Sequence, residues 1–302
     1  MAKYFVLGHD TLMGRTFVNK LCDLGHSVVS CNSECTSIKR DNYDYAIHAG
    51  GPTMGIAGNN KYPADLMMAN LRSVIGFITS LQPKTKMLYL ASSCCYPPMS
   101  DKCREEDFGR LPLEPISSYY ATAKIAAAKL CQAYRKQHGS RFICAVPTNV
   151  FGPQDDIRPE SSHVVMGLMA KLHAAKKNNL EQVVMNGTGS PVRELMYAPD
   201  AVDACLLLLD NYDDYEVVNI ASDTVLTIRQ MVEQLAAVVG YRGQFTWDVT
   251  YPDGAPYKVL AKDKLVCLGW KEKLTPVKEA FEKTYAWYSK FVEDETTVGE
   301  AT

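Results

Sequence analysis

Two side chains four residues apart, Tyr120 and Lys124, carry the first chemical signal in the sequence. They fall in Ser117 to Gln137, SSYYATAKIAAAKLCQAYRKQ, a stretch nearly free of helix breakers, so both project from one helix face, one turn apart. A free phenol titrates near ~10 and transfers protons poorly at neutral pH. An ammonium one turn away favours the phenolate and is expected to lower that value. A tyrosine tuned in this way can give a proton to a developing alkoxide or take one from an alcohol. The pair alone is common. Tyr119, Tyr120 and Tyr134 read equally as packing residues, and Lys124 as a solvated charge.

The second signal lies at the start of the chain. Gly8-His9-Asp10-Thr11-Leu12-Met13-Gly14 follows the strand-like KYFVLG and opens a helix marked by Phe17, Val18, Leu21 and Leu24. Such a turn can offer helix-terminal N–H groups to a dinucleotide pyrophosphate. Its middle glycine is replaced by Thr11, which must then hold a compatible conformation or keep the phosphates farther out. The tip of the next strand selects between cofactors: an acid prefers a free ribose hydroxyl, an arginine a 2′-phosphate. Ser30, Cys31, Asn32 and Ser33 supply neither, and Lys39 and Arg40 read as solvated surface. No metal site is expected, because Cys31-x3-Cys35 and Cys94-Cys95 each lack a second pair.

Strands alternate with helices through residue 150. They are Lys3 to Gly8, Ser27 to Cys31, Tyr45 to His48, Lys86 to Ala91 and Phe142 to Val146. The helix over Pro63 to Leu81 carries Met67, Leu71, Val74, Ile75, Ile78 and Leu81 as its apolar stripe. This pattern predicts an α/β protein with a doubly wound parallel (Rossmann) sheet. After Pro147 the pattern loosens. Helices are expected at 163–178, 200–209 and 275–291, short strands at 183–185, 194–196 and 216–219, and a frayed tail after Glu293. Thr227 with Gln230 forms a capping box for a further helix. The division expected is a dinucleotide-binding domain, 1–150 plus about 196–221, and a smaller α+β substrate domain, about 151–195 plus 222–302.

Composition sets the remaining bounds. The chain has 302 residues, 47% apolar and 22% charged, with net charge −2, so it offers no electrostatic case for nucleic acid or an anionic membrane. No apolar run reaches membrane-spanning length, and Met1 to Leu7 reads as a strand, not a signal sequence. Ten cysteines without an export signal suggest free thiols in a cytoplasmic protein.

Several stretches together resemble one family, the GDP-L-fucose synthases of the extended short-chain dehydrogenase group. They are GGPTMGIAGNNKYPADL, LASSCCYP, LEPISSYYATAKIAAAKLC, PTNVFGPQD, SHVV, GTGSPVRE and PDGAPYK, in family order over most of Gly50 to Trp287. The resemblance implies an NADP(H)-dependent enzyme acting on GDP-4-keto-6-deoxymannose, inverting C3 and C5 and then reducing the C4 ketone. That chemistry is coherent: one ketone acidifies the C–H bonds on both neighbouring carbons and afterwards accepts hydride.

By resemblance, Ser92 hydrogen-bonds the C4 oxygen, Tyr120 protonates it and Lys124 holds the nicotinamide ribose. Cys94 is the epimerisation base and His163 the paired acid. The family's cofactor positions fall on Gly8, Thr11, Leu12, Met13, Gly14, Leu90, Ala91, Ser92, Ser93, Tyr120, Lys124, Pro147, Thr148, Asn149, Val150 and His163. Substrate positions fall on Lys171, Asn186, Arg193 and Tyr257. A thiol near ~8.5 serves as a base only beside a positive charge, and Cys95, expected to point the other way along an extended segment, receives no role. The chain departs from the family in Asp10 and Thr11 for arginine and glycine, Asn186 for an aromatic and Tyr257 for an arginine. Asp10 would repel a 2′-phosphate, which leaves NADH possible. Family members pair through two helices, so a homodimer through 63–81 and 117–137 is implied. Two other readings stand beside this one: a different sugar-nucleotide dehydrogenase (a C4-reductase or C4-epimerase), and a degenerate dinucleotide-binding regulator.

Overall fold

The computed structural model describes residues 1–35, 41–158, 161–271 and 273–299; Lys39 and Arg40 lie outside them. Six parallel strands form the large sheet. They are β1 (Lys3–Leu7), β2 (Ser27–Cys31), β3 (Tyr45–His48), β4 (Lys86–Leu90), β5 (Phe142–Pro147) and β9 (Val217–Ile220), in the order β2-β1-β3-β4-β5-β9. The doubly wound expectation holds. Strands β1, β4 and β5 are almost wholly apolar because helices cover both faces.

Alternate residues serve opposite faces. Val6, Ile47, Leu88 and Ile143 pack with Phe17 and Leu21 of α1 (Leu12–Asp23) and with Val202, Cys205 and Leu208 of α6 (Ala198–Asn211). Phe5, Leu7, Met87, Tyr89 and Cys144 pack with Val74, Phe77 and Ile78 of α3 (Pro63–Ser80), which the short α2 (Ile56–Lys61) precedes. The same face takes Ala127, Ala128 and Cys131 of α4 (Ser118–His138). The buried stripe of α3 is Leu66, Asn70, Ser73, Val74, Phe77 and Ile78, which keeps Val74 and Ile78 of the expected stripe but is rotated away from Met67, Leu71 and Ile75. Ile75 is half exposed, because α3 carries a second apolar face turned away from the sheet.

The remaining elements build a second lobe. β8 (Val192–Tyr197) pairs in parallel with β6 (Asn149–Phe151) and with β12 (Tyr257–Lys258), and antiparallel with β10 (Val225–Thr227). β7 (Gln182–Asn186) pairs with β11 (Gln244–Asp248). Helices α5 (Val164–Lys177), α7 (Ile228–Val239) and α9 (Val277–Gly299) close this lobe around Met166, Met169, Leu172, Met231, Leu235 and Phe281. The capping box opens α7 as expected, with Thr227 accepting from the Gln230 amide and the Gln230 side chain returning to the Thr227 amide. α8 (Asp263–Cys267) packs beside β9. The tail after Glu293 is helical through Gly299, where the sequence suggested fraying. No helix among the described residues is long and apolar enough to cross a membrane.

The order in which strands are added to the large sheet reverses between β1 and β3, where a doubly wound sheet opens a crevice beyond its strand ends. Register aligns those ends: Leu7 lies beside Cys31 and His48, and His48 beside Tyr89. The turns after β1, β3, β4 and β5 therefore open onto a single edge.

Candidate active site

The turn after β1 is built for close approach. A Cβ at Gly8 (φ +97°) would lie 2.7 Å from the Ala49 and Gly50 backbone, and one at Gly14 only 1.8 Å from the Gly8 carbonyl oxygen. Only glycine brings α1 this near the strand edge. Thr11 does not spoil the turn. It is the N-cap of α1 in ordinary extended backbone, its hydroxyl accepting from the Gly14 amide and lying 2.8 Å from Gly8 O and 3.0 Å from Ala49 O. Its side chain is thus turned inward. Among the described residues the Leu12 and Met13 amides have no acceptor, so the first turn of α1 presents free N–H groups suited to a diphosphate.

The tip of β2 is not free of acid in space. Asp10 reaches across from the turn and accepts from the Ser33 amide (2.6 Å) and the Ser33 hydroxyl (2.7 Å). The sequence placed no carboxylate there because Asp10 is 23 residues earlier in the chain.

Ser92 and Tyr120 meet beyond β4. Ser92 caps a short 3-10 turn, Ser93–Cys95, and its hydroxyl accepts from the Cys94 amide at 3.2 Å. That turn overrides the extended segment expected for Cys95, whose buried sulfur faces Ala121 O at 3.7 Å. Tyr120 and Lys124 share one face of α4 and both are buried. Burial pushes the Tyr120 phenol above its ordinary value, the Cys94 and Cys95 charges add to this, and a hydrogen bond with Ser92 opposes it. The expected lowering by Lys124 does not occur. Burial also lowers the ammonium, to about 8, leaving it a weak source of positive charge. A phenol held protonated is an acid, which suits delivery of a proton to an oxyanion. Lys124 Nζ donates to Leu90 O at 3.3 Å and stands 5.7 Å from the Tyr120 ring centre.

Cys94 has the cation a reactive thiol requires. Lys258 Nζ lies 3.3 Å from its sulfur. Burial pushes the thiol up, but the Lys258 ammonium and hydrogen bonds from Ser92, Lys258 and Ser117 outweigh it, and the net direction is down. His163 is the N-cap of α5, its side chain about half exposed, with Nδ1 3.1 Å from Asp155 Oδ1. Burial lowers this imidazole, but the Asp155 hydrogen bond and charge, with Asp156 and Cys94 behind them, raise it overall. Asp155 is itself buried, and its Oδ2 meets no hydrogen-bond partner among the described residues. Cys94 thus joins the cluster electrostatically: its charge is felt at Tyr120, His163 and Arg193.

Arg193 donates from Nη1 to Val192 O (2.8 Å) and Ala255 O (2.7 Å), which fixes the guanidinium beside Gly254. Tyr257 lines one hollow with Ser93, Cys94, Tyr96, Glu114 and Lys258. Lys171 is half-buried along α5, where burial lowers its ammonium. Asn186 is exposed at the end of β7 opposite Asp248. Neither has a described contact with the Cys94 cluster. Thr148 and Asn149 continue the β5 edge, both donating to Glu194 O. Pro147 ends β5 and Val150 lies in β6. Among the described residues no group of three or more His, Cys, Asp or Glu could hold a metal ion.

Sequence reasoning missed Lys258 and Asp155. Both stand in quoted stretches, PDGAPYK and PTNVFGPQD, and the need for a cation beside Cys94 was legible. Which cation met it was not, since 164 residues separate the two.

The model of the NAD dependent epimerase/dehydratase family matches residues 4–221. GDP-L-fucose synthase 1 of Arabidopsis thaliana is 41% identical over 96% of this chain and 94% of its own length. GDP-L-fucose synthase of Sinorhizobium fredii is 35% identical over 97% of each. A GDP-L-fucose synthetase from Naegleria fowleri superposes with a TM-score of 0.84 at 23% identity, over 97% of this chain and 94% of that one, a likeness of fold. On these matches the chain belongs to the NAD-dependent epimerase/dehydratase family and, within it, to the GDP-L-fucose synthases.

Proposed function

We propose that the chain converts GDP-4-keto-6-deoxy-D-mannose to GDP-L-fucose, inverting C3 and C5 and then reducing C4. The observation that carries this reading is the Cys94–Lys258 contact at 3.3 Å, in a cluster that also holds Tyr120, Ser92 and an Asp155-bound His163. A reductase alone needs a phenol acid at the carbonyl. A paired thiol and imidazole add a base and an acid for the carbons on either side.

Gly8, Thr11, Leu12, Met13 and Gly14 would hold the diphosphate of NADPH, and Lys124 and the Pro147–Val150 edge its nicotinamide end. NADPH bound there supplies a hydride to C4. Ser92 and Tyr120 hold the C4 oxygen. Cys94 as thiolate removes the proton from C3 and, in a second event, from C5, leaving an enolate on the C4 oxygen each time. His163 returns a proton to the opposite face, and between the two events Cys94 gives its proton to water and His163 regains one from water. Once both centres are inverted, Tyr120 gives its proton to the C4 oxygen as the ketone is reduced. Arg193 faces the sugar-nucleotide diphosphate with a planar fork, and Lys171, Asn186 and Tyr257 complete the substrate side.

We read the chain as two working units, 1–150 with 196–221 for the cofactor and 151–195 with 222–302 for the substrate. It is a cytoplasmic homodimer in this reading. Met68 and Ile75 on α3 and Tyr119 on α4 are half exposed or more, apolar surface that such a pairing would cover.

The test is turnover of GDP-4-keto-6-deoxymannose in heavy water with NADPH or NADH. Deuterium at two ring carbons, a reduced C4 and loss of both on replacing Cys94 support the reading. Reduction without exchange, unaffected by Cys94, would make the enzyme a simple C4-reductase. No oxidation of either nucleotide would point to a regulator.

A further inference from the structure

One buried carboxylate ties together the segments around the reactive thiol. Glu194 in β8 is fully buried, and its two oxygens accept from backbone amides of different segments: Oε1 from Ser222 (2.7 Å) and Oε2 from Leu260 (2.9 Å). Its own carbonyl takes the Asn149 amide side chain (2.8 Å) and the Thr148 hydroxyl (3.2 Å). Leu260 stands two residues beyond Lys258. The same run is held on its other side by Cys103, whose amide donates to Val259 O (2.8 Å) and whose carbonyl accepts from the Ala261 amide (2.9 Å). β12 itself is only Tyr257–Lys258, too short to hold its own position by pairing. Burial raises the Glu194 carboxyl to about 7 against the amides that lower it, so the two bonds it accepts are charge-assisted on the alkaline side of that value and ordinary hydrogen bonds below it.

The groups that face Glu194 are the Thr148 hydroxyl and the Ser222 and Leu260 amides, with the Lys102 charge beyond; Tyr257 and Cys103 feel its charge in turn. Those that face Cys94 are Lys258, Ser92 and Ser117, while Cys95, Tyr120, His163 and Arg193 feel it. Lys258 is the cation in contact with the sulfur, and it stands two residues before the Leu260 amide that Glu194 holds.

We propose that Glu194 is a positioning residue for epimerisation: by fixing Leu260 it holds Lys258 against the Cys94 sulfur and so sets how much of that thiol stands as thiolate. This rests on the acid–base reading of Cys94 given above. Nothing in the role requires Glu194 to touch substrate.

The experiment follows iodoacetamide labelling of Cys94 by peptide mass from pH 5 to 10, in the full chain. Wild type is compared with Lys258→Met, Glu194→Gln and the double variant, each checked for folding by circular dichroism. Each single variant is expected to move the labelling midpoint upward, slowing labelling on the acid side of the wild-type midpoint about tenfold for each unit moved. The double variant moves no further than Lys258→Met alone. Glu194→Asp, which keeps the charge but is one methylene short of spanning both amides, gives the same answer if Glu194→Gln does not fold. A folded Glu194 variant with the wild-type midpoint, or additive shifts in the double variant, overturns the proposal while leaving the Cys94 reading intact. An unmoved midpoint in Lys258→Met overturns both.

Discussion

Replacing Lys124 with methionine should stabilise the fold at neutral pH while disabling the site. Lys124 is buried on α4, and burial has brought its ammonium from 10.5 to about 8. At about 1.4 kcal/mol for each pH unit of displacement, holding the charge there costs about 3 kcal/mol below pH 8. Methionine has similar length and no charge. The variant loses the 3.3 Å bond to Leu90 O, worth about 1 kcal/mol. The net gain is about 2 kcal/mol, which in a chain of this size raises Tm by about 3 °C. The sign with pH follows from the depressed value. Between about 8 and 10.5 the unfolded chain binds the proton that the folded chain has released, so wild-type stability rises through that window. The advantage of the variant is therefore full below pH 8 and shrinks to nothing, or to the small deficit from the lost bond, by 10.5. Urea unfolding of both proteins from pH 7 to 10.5 measures the difference directly. A variant less stable than wild type at pH 7, or a gap independent of pH, refutes the claim that burial governs this lysine.

Three further outcomes are expected. Asp155→Asn removes the carboxylate that raises His163, so the alkaline fall of C5 deuterium exchange moves to lower pH; stability contributed by that pair, present below the unfolded histidine value and lost as pH rises through the folded one, disappears from the variant. Asp10→Asn, which keeps a hydrogen bond to Ser33 but not the charge, should shift the ratio of NADPH to NADH use toward NADPH by about tenfold, the scale of one like-charge contact near the surface. Met68→Glu with Ile75→Glu places two charges on the exposed apolar face of α3; size-exclusion mass should fall from dimer to monomer, with the circular dichroism of the fold retained.

The doubly wound sheet was legible from residues alone, because buried parallel strands must be continuously apolar, and KYFVL, KMLYL and FICAVP are. The α7 capping box was legible too, since its two bonds join residues three apart. Local spacing also put Tyr120 and Lys124 on one helix face. What spacing could not give was the direction in which each of them titrates. That depends on how much water reaches them, and the helices packed over β4 exclude it from both. In the second lobe α5, α7, α9, β7 and β8 were legible; β6, β10 and β12 were not, because they are two or three residues long and gain their hydrogen bonds from β8 rather than from any pattern of their own. The partners of Cys94, His163 and Ser33 were equally out of reach. Lys258, Asp155 and Asp10 are ordinary charges in the sequence, and only the folded chain decides which of many charges each thiol, imidazole or strand tip will face.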